Sequence, residues 1–146
     1  MSELHPLSGL NLDHAGLEIL DVDECQRLLA ITPVARIAFV DHGEPVIMPI
    51  TYGMWGRSIV FATDPGSKLD AAIMERPVAV EIDGWDAEAQ IGWSVLVKGS
   101  ASTVDDEADV ERLDRESVAT WIRGDTPMRW VRVLPNEVTG RRIVPH

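Results

Sequence analysis

Along most of the chain, apolar and polar positions alternate in runs of strand length, and helical spacing interrupts them at three places. Asp21 and Glu24 form a capping-box pair, and Val22, Cys25, Leu28 and Leu29 fall on one face of a short helix that ends before Pro33. From Val34 to Asp41 the run VARIAFVD is rich in β-branched and aromatic residues. DHGEP then supplies turn chemistry before PVIMPITYGM, so the two runs predict a hairpin. RSIVFATD at 57–64 predicts a third strand, leading into PGSKLDAAIMER, where Leu69, Ala72 and Ile73 repeat at helical spacing up to Pro77. PVAVEIDGW and GWSVLVKGSASTV predict a fourth strand and a long fifth one, in which Gly99 marks a bulge or bend. In DDEADVERLDRESVATWI, residues Val110, Leu113, Val118, Trp121 and Ile122 share one side, which predicts an amphipathic helix. WVRVLPNEVTGRRIV predicts a strand, a turn at Pro135 and Asn136, and another strand. Six or seven strands joined by tight turns, with two or three helices outside them and no βαβ alternation, favour a mainly β fold with flanking helices. An antiparallel barrel fits this pattern better than a doubly wound sheet.

Composition narrows the picture. A chain of 146 residues, 45% hydrophobic, suits one domain with a substantial core, expected over residues 17–146 after a loosely ordered segment at 1–16. No apolar run reaches membrane-spanning length and the N-terminus lacks the pattern of a secretory signal, so a soluble, cytoplasmic protein is expected. The lone Cys25 excludes an internal disulfide, and four scattered histidines show no zinc-site spacing, so no metal is expected. A net charge of -11 with no basic stripe makes nucleic acid and anionic membrane poor partners. A small anionic ligand stays compatible with it, because charges beyond a Debye length of ~8 Å are largely screened. Local positive charge is therefore what matters. Only two lysines occur, Lys68 and Lys98, and Lys68 lies in a Gly/Ser turn.

Four places carry candidate chemistry. In TDPGSKL at 63–69 a strand runs into a glycine turn and then a helix start, with the Thr63 and Ser67 hydroxyls and the Lys68 ammonium nearby, followed by Leu69. Free backbone N–H groups and positive charge at such a junction suit a phosphate; the structural alternative has Ser67 as a simple helix cap and Lys68 solvated. In MPITY at 48–52 a proline removes a ladder donor from an expected strand, marking an edge or a backbone that leaves the ladder for a ligand. Arg36 shares a strand face with Val34, Ala38 and Val40, so it needs an anion there, either a structural carboxylate or a bound phosphate. Trp93 and Ser94 in GWSVLVKG offer an aromatic plane and a hydroxyl, with a core or dimer anchor as the alternative role for Trp93.

Taken in order, ARIAFVDHGEPVIMPITY, SIVFATDPGSKLDAAIMERPVAVEID, GWSVLVKGSASTV and WVRVLPNEVTGRRI resemble the pyridoxamine 5'-phosphate oxidase-like family, in particular its short bacterial branch with the nitroimidazole-resistance-type proteins. The resemblance runs from about residue 17 to the C-terminus. It implies a six-stranded antiparallel split β-barrel that forms a homodimer and holds two FMN molecules in clefts between subunits. It implies further that Pro49, Ile50, Thr51 and Tyr52 line the isoalloxazine, and that Phe61, Ala62 and Thr63 pass beneath the cofactor. Lys68, with Thr63 and Arg36, would meet the phosphate, and Trp93, Ser94 and Val95 would arrive from the partner subunit. The short ending PNEVTGRRIVPH departs from the extended, arginine- and histidine-bearing terminus of true pyridoxamine phosphate oxidases, which argues against that reaction. The expectation is a small FMN-dependent oxidoreductase acting on an unidentified small molecule; a flavin carrier or sensor without turnover is the alternative. Relatives of the fold also use F420, whose polyglutamyl tail suits a strongly acidic protein less well than FMN does.

Overall fold

The computed structural model describes residues 11–116, 128–143 and 145. In chain order it contains β1 (Glu18–Ile19), α1 (Val22–Ile31), β2 (Val34–Asp41), β3 (Glu44–Thr51), β4 (Gly53–Trp55), β5 (Ser58–Thr63), α2 (Lys68–Ile73), β6 (Pro77–Asp86), β7 (Ile91–Thr103), α3 (Glu107–Glu116) and β8 (Arg129–Ile143). The strands form one antiparallel sheet in the order β3-β2-β6-β7-β8-β5-β4, with β1 added alongside β8. β3 and β4 stand at opposite ends of that order yet are separated in the chain by Tyr52 alone. The sheet must therefore curl until its two ends meet at this residue. The result is an antiparallel split barrel.

Eight strands replace the six or seven expected. Two differences add strands: β1 is a two-residue addition, and Tyr52 divides one expected strand into β3 and β4. At the C-terminus the difference runs the other way. The expected strand, turn and strand are one continuous β8, and Pro135 and Asn136 are absorbed by a bulge in which Lys98 faces Glu137 while Gly99 faces Pro135. Gly99 makes this close approach feasible, because a Cβ there would lie 2.1 Å from the Leu134 carbonyl oxygen.

The helices start where their caps place them. The Asp21 carboxylate accepts from the Glu24 N–H at 2.8 Å, and the Ser67 hydroxyl accepts from the Asp70 N–H at 3.1 Å; each such cap stabilises its helix by ~0.5–2 kcal/mol. α1 covers the barrel through Cys25, Leu28 and Leu29, joining an interior built from Ile37, Phe39, Ile59, Phe61, Val80, Ile82, Val95, Val97, Val131 and Val133. A second, smaller core of Val60, Leu113 and Trp130 lies on the other face of β5, with Val110 of α3 against it. β5 is thus apolar on both faces, which explains its unbroken run SIVFAT. Val118, Trp121 and Ile122, the remainder of the expected helical face, lie outside the described residues. So does the first part of the segment 1–16. Its residues 11–16 are folded into a turn in which Asp13 accepts from the Ala15 and Leu17 N–H groups and from Arg141 Nε at 3.0 Å. No helix among the described residues is long and apolar enough to cross a membrane.

Candidate functional site

Two groups of the expected site residues come together in the fold, and they are separate. The first is the turn after β5. Ser67 N–H donates to the Asp64 carbonyl at 3.0 Å, and Gly66 takes a left-handed conformation (φ +89°) that closes the turn. Lys68, the first residue of α2, is exposed and has no carboxylate within ion-pair distance among the described residues, whereas Leu69 turns back against the barrel core. Thr63 is buried, at 1% exposure, and its hydroxyl points away from the surface. It donates to Asp70 Oδ1 at 2.8 Å, with the Arg129 carbonyl 3.3 Å away. Asp70 is itself buried and meets Arg129 Nε at 3.3 Å. A direct hydroxyl contact from Thr63 to a phosphate is therefore ruled out in this arrangement. The unexpected members are Asp70 and Arg129. Nothing local in the sequence connects Arg129 to the turn; register does, since it lies opposite Thr63 in the β5–β8 ladder.

The MPITY segment divides by side. Pro49 and the half-buried Thr51 belong to the outer face of β3, which pairs with β2 alone, so the missing proline N–H sits on an edge strand. Ile50 and Tyr52 turn inward. The Tyr52 hydroxyl donates to the Leu29 carbonyl at 2.7 Å, and burial pushes its pKa up to about 12. This phenol ties the β3–β4 break to α1 and stays protonated near neutrality, so it offers no phenolate base. Phe61 and Val95 are fully buried in the barrel, and Ala62 packs in the second core. The side chains of Ile50, Tyr52, Phe61, Thr63 and Val95 are thus all buried within this chain.

The second group occupies the outer face of β3, β2, β6 and β7. Period-2 alternation points Val78, Val80 and Ile82 into the core and Ala79, Glu81 and Asp83 outward. Arg36 is opposite both Pro49 and Glu81, and its guanidinium donates to Asp83 at 2.6 Å and Glu81 at 3.1 Å. The anion that Arg36 requires is therefore a carboxylate pair. Burial and the neighbouring Asp83 raise the Glu81 pKa, while Arg36 opposes the rise. Arg36 does not join the phosphate turn: α2 packs beside the other end of β2, where a depression is bounded by Asp41, Gly43, Ala71 and Arg76. Ser94 lies opposite Asp83 on the same outer face.

Trp93 takes the other side. Its indole covers Gly84, where a Cβ would fall 2.7 Å from Nε1, and packs against the barrel core. Trp85, which sequence reading passed over, does the reciprocal on the outer face by lying over Gly92, and remains 61% exposed. Three shallow depressions of about 270, 380 and 330 Å³ meet at Asp83 and make this face one continuous trough. Glu81, Asp83 and Trp85 were legible as outward positions from their alternation alone. Their pairing with Arg36 was not.

Comparison with known proteins places this geometry. The family profile for pyridoxamine 5'-phosphate oxidase matches residues 21–142. An uncharacterised protein of Mycobacterium tuberculosis is 33% identical over 132 residues, covering 86% of this chain and 84% of its own. The structure of the FAD binding protein from Mycobacterium smegmatis superposes with a TM-score of 0.75 at 38% identity, covering 86% of this chain and 99% of its own. A FAD-binding protein from Mesorhizobium loti shares the fold, with a TM-score of 0.70 at 23% identity over 88% of this chain and 99% of its own. With its split barrel and a profile match extending from the cap of α1 almost to the end of β8, the chain belongs to the pyridoxamine 5'-phosphate oxidase family.

Proposed function

We propose that this chain is a flavin-binding oxidoreductase that works as a homodimer, with FMN as its cofactor. The observation that carries the reading is the 38% identity to a FAD-binding protein whose chain is matched almost from end to end. FMN and FAD share the isoalloxazine, the ribityl chain and the 5'-phosphate, and the residues present suit that shared part. Lys68 is an exposed cation with no carboxylate partner among the described residues, in a protein of net charge -11, and it follows a turn closed by a left-handed glycine. Pro49 and Thr51 present an edge-strand surface from the other side of the β3–β4 break. When bound, a flavin supplies hydride or single-electron transfer. The chain's own part is to anchor the phosphate through Lys68 and orient the ring, while its buried Tyr52 holds the frame through the Leu29 carbonyl.

Titrating the purified protein with FMN, FAD, riboflavin and F420 tests the cofactor, followed by NADH and NADPH oxidation with nitro compounds or quinones as acceptors. Uptake of FMN with the change in flavin spectrum that accompanies binding is expected. Failure to take up either FMN or FAD would sink the proposal, and tight binding without turnover would favour a carrier.

The outer trough supports the homodimer reading. Val34, Val40, Ile47 and Trp85 are exposed there at 38%, 55%, 68% and 61%. Around the Arg36–Glu81–Asp83 cluster this face carries large apolar side chains that no described element covers, which is unusual for a surface in permanent contact with water. A second copy of the same face would bury it. Replacing Ile47 with aspartate would put one charge from each subunit into that contact, at a cost of several kcal/mol per ion. The wild-type chain is expected to sediment at twice its 16.1 kDa mass and the variant at 16.1 kDa. A wild-type monomer with flavin bound would contradict the dimer and leave flavin binding standing.

A further inference from the structure

We infer that Arg129 is a second cation of the phosphate subsite, and that the buried Asp70 is the residue that positions it; the inference rests on the flavin reading above. The geometry begins with the ladder. Thr63 and Arg129 are paired at the adjoining ends of β5 and β8, so the arginine emerges beside the turn that leads to Lys68. Behind them Asp70 is fixed from two directions: its side chain accepts from the Thr63 hydroxyl at 2.8 Å, and its N–H is held by the Ser67 hydroxyl at 3.1 Å. Its Oδ1 then lies 3.3 Å from Arg129 Nε. The guanidinium carries five N–H donors. Its Nη groups have no hydrogen-bond partner among the described residues, and the side chain is 39% exposed while that of Asp70 is 8%. One edge of the arginine thus faces a buried carboxylate, and the other is open to solvent.

What the second cation adds is donor geometry. A phosphate monoester carries about -1.5 to -2 charges at neutral pH. Asp64, exposed at the start of the same turn, offsets part of the Lys68 charge, and Asp70 offsets part of the Arg129 charge. The four charges cancel formally, so the two cations would act through directed donors rather than through a net positive charge. Lys68 and Arg129 together give the phosphate two donors of different geometry, an ammonium and a planar fork, and the fork is the element that selects a tetrahedral oxyanion over a single negative charge. Thr63, whose hydroxyl cannot reach a ligand, acts instead by holding Asp70.

The test compares FMN with riboflavin, which lacks the phosphate, on Arg129→Gln, Arg129→Lys and Asp70→Asn, and measures stabilisation by inorganic phosphate in thermal unfolding. Arg129→Gln should weaken FMN binding roughly 10-fold to 150-fold, the range for loss of one charge-assisted contact, and leave riboflavin within about 2-fold. Arg129→Lys should recover part of the loss. Asp70→Asn should reduce the FMN preference over riboflavin by a smaller factor, and inorganic phosphate should raise the unfolding temperature of the wild type more than that of Arg129→Gln. If Arg129→Gln weakens both ligands equally, or neither, Arg129 has no phosphate role, although the flavin reading survives. A wild type that takes up no flavin and gains nothing from inorganic phosphate overturns both. If Arg129→Gln misfolds, which its unfolding temperature without ligand reports, Arg129→Lys decides in its place: a preference for FMN over riboflavin below that of the wild type supports the phosphate role, and an unchanged preference overturns it.

Discussion

Replacing Phe61 with alanine is expected to destabilise the protein by about 3–5 kcal/mol, the range for truncating a fully buried aromatic side chain. Phe61 is 0% exposed and sits among Ile59, Val131 and Val133 at the centre of the barrel. Its backbone is held on β5 opposite Val131, so the sheet cannot collapse into the space without breaking the β5–β8 ladder. The cavity should therefore persist, which places the cost toward the upper part of the range. Urea unfolding followed by tryptophan fluorescence would measure it as a lower midpoint with little change in slope. A loss below about 1 kcal/mol would mean that the side chain is not a core element.

Lys68→Ala should weaken FMN binding roughly 10-fold to 150-fold, equivalent to ~1.5–3 kcal/mol, while riboflavin is scarcely affected. Lys68 is exposed and forms no ion pair among the described residues, so its removal should leave folding almost untouched. Lys98→Ala is the matching control. Lys98 is likewise exposed and lies 3.4 Å from Glu137 on β8, away from the turn, so its replacement changes the net charge by the same amount without touching the subsite. Isothermal titration at two salt concentrations separates the outcomes. Equal losses from the two substitutions, vanishing at high salt, would show that Lys68 acts through long-range electrostatics alone and remove it from the phosphate site.

Local chemistry was legible wherever one short segment carried the whole interaction. Asp21 and Ser67 cap α1 and α2 as the sequence indicates, because a cap needs only the next three residues. Gly99 marks a bulge for a similar reason: glycine within an apolar strand has few other uses. The outward alternation of Ala79, Glu81 and Asp83 is also readable, since it follows from the strand period. Reading failed where a local signal was overruled by a distant strand. Pro135 and Asn136 have turn chemistry, yet the ladder with β7 carries β8 through them, since one bulge disrupts less pairing than ending the strand would.

By itself, then, the sequence determined most of the strand positions, the helix starts and caps, the glycine turn before Lys68 and the acidic character that makes a lone lysine conspicuous. Tertiary structure decided which groups meet. Arg36 finds Glu81 and Asp83 across 45 and 47 residues, and Thr63 shares its ladder position with Arg129 across 66. Each of these pairings is a register, and register in a curled sheet is set by burying all the inward positions of every strand at once. A slip of one residue would turn every buried side chain of a strand to the solvent, so the core as a whole selects the partners that no single segment can specify.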